Sequence, residues 1–209
     1  MKGSSLAKIV LSVGMIVPSL HAQTKPDPVI EAAKQVVASA EKPGGDDLQL
    51  ASALIRLGDA YRSRFIYTAQ ADMAYQHALS IYQKTLQPDD TRIADLLMRL
   101  SRIGLTENVA SEQLIHRALA IYSKQSSPDE NALLRARFEL AGNLVGQRRY
   151  KEAEPLLIEA IQHYEKTPTA EFSFALRYYA TVLEFTGRLT EARDLQKRFE
   201  DALNQTMPR

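Results

Sequence analysis

Three stretches of this chain end a segment in nearly the same way: "HALSIYQK" (77–84), "RALAIYSK" (117–124) and "EAIQHYEK" (159–166). Their alanines, Ala78, Ala118 and Ala160, recur about 40 residues apart. Seven residues before each lies another small residue: Ala71, Ser111 and Ala153. Seven residues are two helical turns, so both small residues share one helix face. Small side chains there let a neighbouring helix backbone come close. A fixed repeat of this length must be recognised before any fold is assigned, because each unit is one supersecondary element that cannot bury its apolar face alone.

The rest of the chain obeys the same period. "QPDD" (87–90), "SSPDE" (126–130) and "KTPTA" (166–170) punctuate it with helix breakers. A first helix precedes each repeated one: "LASALIRLGDAYR", "ADLLMRLSRI" and "ARFELAGNLVG". A fourth unit, "FALRYYATVLEFTGRLTEARDLQKRFEDAL" (174–203), keeps Ala180 and Ala192 at the spacing of Ala141 and Ala153. Period-two alternation never persists, so strands are not expected. The reading is an all-α helical-hairpin solenoid with repeats over about 48–88, 89–127, 128–168 and 169–203. Residues 23–47 supply a linker and a short capping helix over 30–40, and 204–209 form a tail. "EKPGGDD" (41–47) ends the capping helix, and Asp46 or Asp47 caps the next one. The polar last helix suits an end cap.

These residues resemble the tetratricopeptide repeat (TPR) in its longer, kinesin-light-chain-like variety. The likeness rests on Leu57-Gly58 with Tyr61, Leu140-Ala141 with Leu144, and Tyr179-Ala180 with Leu183 in first helices. In second helices it rests on Ala71/Ala78, Ala118, Ala153/Ala160 with Leu157, and Ala192. "RRYKEAEPLLIEAI" (148–161) is very similar to the family's turn and second helix. The second unit departs from the pattern: its turn is shortened, and Ser101 or Arg99 stands at the Gly-or-Ala position. The first unit has one extra residue between Gly58 and Ala71, and the fourth has Phe199 where the last Ala would stand. The resemblance implies a protein-binding scaffold whose first helices line a concave face.

Residue chemistry argues against catalysis. There is no Cys, hence no thiol nucleophile or thiolate ligand. No phosphate loop, nucleophile elbow or His-Glu-x-x-His motif is present. His77, His116 and His163 fall at different offsets from their reference alanines and form no His-x3-His pair, so no metal or other cofactor is expected. Glu152 and Glu154 are read as favourable charges in the first turn of a helix, with Pro155 in the same turn. Tyr82, Tyr122 and Tyr164 are read as packing between repeats, with their hydroxyls reaching the surface. Lys+Arg number 26 against 25 Asp+Glu, which makes nucleic acid a poor partner.

One functional signal remains. Outward positions of the first helices are rich in arginine: Arg56, Asp59 and Arg62, then Arg99 and Arg102, then Arg135 and Phe138, then Arg177, Tyr178 and Phe185. Arginine pairs bidentately with carboxylates and anchors binding hot spots. The expected partner is therefore a protein or peptide segment with acidic groups, with recognition centred on the helix around Arg135 to Val145. The asparagines that the family's C-terminal-carboxylate clamp needs are missing, so that clamp is not expected. A self-assembling solenoid and, further off, an envelope enzyme or enzyme accessory are the alternatives.

The first 22 residues read differently. Lys2 and Lys8 give a positive start, "IVLSVGMIVPSL" (9–20) a short apolar run, and Ala22 a small residue before Gln23. That is the pattern of a secretory signal peptide. The run is too short for a spanning helix, which needs about 20 residues. The expectation is export to the periplasm or the medium, with no stable membrane insertion after cleavage.

Overall fold

The computed structural model describes residues 27–64, 68–103, 108–165 and 170–206. Among them every regular element is an α-helix: α1 Pro28–Ala40, α2 Asp47–Arg62, α3 Thr68–Thr85, α4 Thr91–Ser101, α5 Asn108–Ser123, α6 Glu130–Gly146, α7 Tyr150–Tyr164, α8 Ala170–Phe185 and α9 Leu189–Thr206. The residues 1–22 that carry the export pattern lie outside the described residues. So do residues 166–169, most of the last breaker.

Helix starts follow one rule. Asp27, Asp46, Asp90 and Asp129 stand at the N-caps of α1, α2, α4 and α6, and each carboxylate accepts from backbone N–H groups of the first turn. Each cap satisfies donors that the helix leaves unpaired. α7 has no such cap. Arg149 precedes it and its side chain makes no cap hydrogen bond to the backbone. Because α7 begins at Tyr150, Pro155 falls in its second turn rather than its first, a correction to the sequence reading.

The helices pair as hairpins, α2 with α3, α4 with α5, α6 with α7 and α8 with α9, and each hairpin stacks on the next. First helices α6 and α8 also touch directly, and α1 packs on α2 through Ile30 and Val37. Burial is one continuous stack, since each helix covers the face its neighbour leaves open. α9 ends it with Ala192 and Leu195 buried and Phe199 partly buried, its other faces being charged. The helix runs on to Thr206, so the first half of the segment read as a tail is helical.

The small positions carry the packing. Ala71, Ala78, Ala118, Ala141, Ala153 and Ala160 have no exposed surface, and Ala192 is buried. Ala180 is only partly buried. At Gly58 a Cβ would lie 2.4 Å from the Tyr75 ring, so the α2–α3 crossing needs a residue without one. In the second unit the small position belongs to Ser101, which is buried and donates to the Met98 carbonyl, 2.9 Å away.

α4 is the shortest first helix, 11 residues against 16 in α2 and 17 in α6. Its last residue, Ser101, lines a concavity together with α6 and α8.

Candidate functional site

The first helices bring the sequence-predicted residues to one side, but not all of them as free contacts. Asp59, half-buried on α2, accepts from the Tyr75 hydroxyl at 2.6 Å and from Arg99 Nη1 at 2.5 Å. Arg102 donates through Nε to Glu139 Oε1 on α6, at 2.8 Å. Arg99, Arg102 and Asp59 therefore join one hairpin to the next. The expectation that all three meet a partner is corrected: their charges are already paired across the stack. Burial and the neighbouring Asp59 carboxylate push the Tyr75 hydroxyl up to about 12, so it stays a donor at all ordinary pH.

Phe138 is also corrected. It is buried and meets the Tyr164 ring edge-on, 6.0 Å between centroids. It still forms part of a concavity wall, from beneath. The Tyr164 hydroxyl is buried without a partner rather than reaching the surface. Tyr122 is buried too, and its hydroxyl donates to Asp95 at 2.6 Å.

Arg56, Arg62, Arg135 and Arg177 are exposed, and among the described residues none of them forms an ion pair. Arg177 lies over the Phe174 ring, 5.1 Å from its centroid, and near the Tyr178 ring at 5.7 Å. Tyr178 is half-buried because α6 offers Gly142 opposite it; a Cβ there would come within 3.2 Å of the ring. Phe185, by contrast, stacks on Tyr150 at the start of α7, 5.2 Å away with planes 10° apart.

Two neighbouring concavities result. The larger, about 540 Å³, is lined chiefly by Ile115, Phe138, Val145, Phe174 and Tyr178, with Arg102 at its edge. Its walls come from the end of α4, the C-terminal half of α6 and α8. Phe174 is 46% exposed there. The sequence reading passed over Phe174, although it lies one helical turn before Arg177 and Tyr178 and so shares their face. The smaller, about 330 Å³, is lined by Asp95, Arg99, Arg102, Tyr122 and Arg135 between α4 and α6.

The carboxylates read as helix-start charges do more than that. Arg149 grips Glu152 through Nε and Nη2 and Glu112 of α5 through Nη1. Glu154 accepts from Arg188 and from the Tyr179 hydroxyl, so it ties α7 to the next hairpin. His77, His116 and His163 are exposed. Among the described residues no group of three or more His, Asp or Glu is placed to hold a metal ion, and no helix is long and apolar enough to cross a membrane.

This is the architecture of a TPR-like helical-repeat solenoid. Among solved structures, it is similar to BtubC (BKLC) from P. vanneervenii, with a TM-score of 0.70 at 17% identity, covering 86% of this chain and 74% of that one. It is likewise similar to a putative kinesin light chain of Podosopora anserina with nearly identical TPR-like repeats, with a TM-score of 0.65 at 19% identity, covering 86% and 88%. No protein-family model and no curated protein matches the sequence.

Proposed function

We propose that this chain is an exported, non-catalytic scaffold that holds a protein or peptide segment in the concave trough of its first helices. The observation that carries the reading is the 540 Å³ apolar trough across α4, α6 and α8. Its exposed ring, Phe174, is flanked by a guanidinium, Arg177, that no carboxylate of the described chain neutralises. An apolar pocket with a few convergent polar groups is the usual form of a binding site. Arg177 favours acidic groups on the bound segment, since an unpaired arginine there has donors to offer. Export rests on the charged, apolar, small-residue order of residues 1–22.

Panning a random peptide library on the protein tests the binding reading. Selected peptides should lose binding to the Phe174→Asp variant and keep it to Arg117→Glu, a change on the exposed side of α5. Failure to select any peptide, or indifference to Phe174→Asp, would refute the trough. N-terminal sequencing of the protein from the producing cell checks export; a start at Gln23 is expected.

Self-assembly has one observation of its own. Val29 and Val36 are 54% and 46% exposed and lie two turns apart on one face of α1. Light scattering of wild type and of Val29→Glu/Val36→Glu over a concentration series separates this reading from a monomeric scaffold.

A further inference from the structure

The smaller concavity adjoins the trough and shares only Arg102 with it. Two of the charges that line it are committed elsewhere: Arg99 to Asp59 and Arg102 to Glu139. Two are not. Among the described residues neither Asp95 nor Arg135 forms an ion pair, and they do not reach each other, although both line the same 330 Å³. Asp95 is held in place from below by the Tyr122 hydroxyl. Burial, and then that same carboxylate, raise Tyr122 well above the ordinary tyrosine range, so it remains a donor and Asp95 remains a fixed acceptor.

A cavity with one anchored negative charge and one separate positive charge discriminates by charge pattern. A simple anion gains Arg135 but meets Asp95. A simple cation gains Asp95 but meets three guanidinium groups. A ligand with both charges on one small frame satisfies both ends and leaves neither protein charge facing its like. We infer that this concavity binds a small zwitterion of the amino-acid type, a free amino acid or a short peptide, with its ammonium on Asp95 and its carboxylate on Arg135. Arg99 and Arg102 set the orientation. A guanidinium has five N–H donors, and Arg99 spends only Nη1 on Asp59, so it keeps spare donors in the cavity that it lines. The volume is at the small end of the range for ligand sites, which favours compact side chains.

The test is titration of the protein, followed by backbone amide shifts, with alanine, with alanyl-alanine, and with alanyl-alanine blocked at one end, as the N-acetyl derivative or as the C-terminal amide. The zwitterions are expected to saturate, with shifts centred on α4 and α6, and each blocked form to bind roughly tenfold weaker, the loss of one charged hydrogen-bonded contact. Alanine and alanyl-alanine compared with each other tell whether a free amino acid or a peptide is preferred. Asp95→Asn, which keeps an oxygen for Tyr122, should make alanyl-alanine and its N-acetyl form bind alike. Arg135→Gln should do the same for alanyl-alanine and its amide. A merely structural role for either residue would not change these preferences. Phe174→Asp should leave zwitterion binding intact, so this site and the trough succeed or fail separately. Equal binding of the N-acetyl form to wild type, or no saturable response to any of the four compounds, overturns the inference; should Asp95→Asn fold poorly, the Arg135→Gln comparison decides alone.

Discussion

Arg149, in the turn between α6 and α7, donates through Nη1 to both carboxylate oxygens of Glu112 on α5, 2.8 and 2.7 Å away. The same guanidinium holds Glu152 of its own helix through Nε and Nη2. One repeat later Arg188 does the same, gripping Glu191 of α9 and Glu154 of α7. A turn arginine thus fastens the helix start of its own hairpin to the second helix of the hairpin before it. At the N-terminal end Arg64 pairs with the Asp27 cap of α1 in the same manner.

The Arg149–Glu112 member is the less exposed of the repeated links, with the Glu112 side chain 15% exposed. Glu112→Ala should therefore lower unfolding stability by about 1–2 kcal/mol, the range for losing a charge-assisted hydrogen bond that is partly desolvated. Glu152→Ala, at an exposed position, should change stability far less. Chemical denaturation of both variants and of Arg149→Ala, combined as a double-mutant cycle, measures the coupling.

These links also set an acid limit. Hydrogen bonds from Gln147 and then Arg149 hold Glu112 below the ordinary glutamate value of 4.5, and Arg149 and Arg188 do the same for Glu152 and Glu191. A carboxylate with a depressed folded-state pKa stabilises the fold above its unfolded-state value and loses that contribution as pH falls through the folded one. Stability from this source should thus be flat from neutral pH to about 5, then fall below 4.5. Glu112→Gln should shallow that acid limb without moving the neutral plateau by as much as Glu112→Ala does. An acid limb of unchanged slope in Glu112→Gln would remove Glu112 as its source.

Arg148 sits in the turn after α6 with φ of 62°, where the turn after α8 has Gly187 at 83°. Both turns close alike: Arg149 N donates to the Leu144 carbonyl and Arg188 N to that of Leu183. A residue with a Cβ is strained by about 1 kcal/mol in this region, and glycine is not. Arg148→Gly should leave the fold unchanged and raise stability by up to about 1 kcal/mol, read as a higher melting temperature.

Gly58 predicts the opposite. A methyl group there would collide with the Tyr75 ring at 2.4 Å, and Tyr75 donates to Asp59, which holds Arg99. Gly58→Ala gains helix propensity of about 1 kcal/mol, but overpacking costs typically 1–3 kcal/mol. Since the Tyr75 ring is fully buried and cannot swing aside, net destabilisation is expected. Pairing the change with Tyr75→Leu should recover part of the loss by relieving the collision.

Much of this architecture was legible because its signal is periodic. The alanines recur because helix axes cross at the same place in every hairpin, and Asp residues beside prolines and glycines mark where first helices begin. The concave charges were harder. Counting arginines by helix face finds Arg99 and Arg102 correctly, but their partners, Asp59 and Glu139, lie about a repeat away and pair only after stacking. The place of Glu154 near a helix start explains only its sign, whereas Arg188, one repeat further along the solenoid, decides its role. Helical spacing points Phe138 outward, yet the Tyr164 ring takes it into the interior. Phe174 carried a usable signal, the i, i+3 and i, i+4 relation to Arg177 and Tyr178. The small concavity had none, since nothing in the sequence says which two of its charges stay unpaired.

The turn-side links give the stack a mechanical direction. Arg64, Arg149 and Arg188 all fasten neighbours at the edge where first helices turn into second ones. At the opposite margin the chain itself passes from one hairpin to the next, from α3 into α4 and from α5 into α6, so the hairpins are stapled along both edges, by ion pairs on one and by peptide bonds on the other. Salt and acid act on the first seam alone, so the two edges of the stack answer differently to the same solvent.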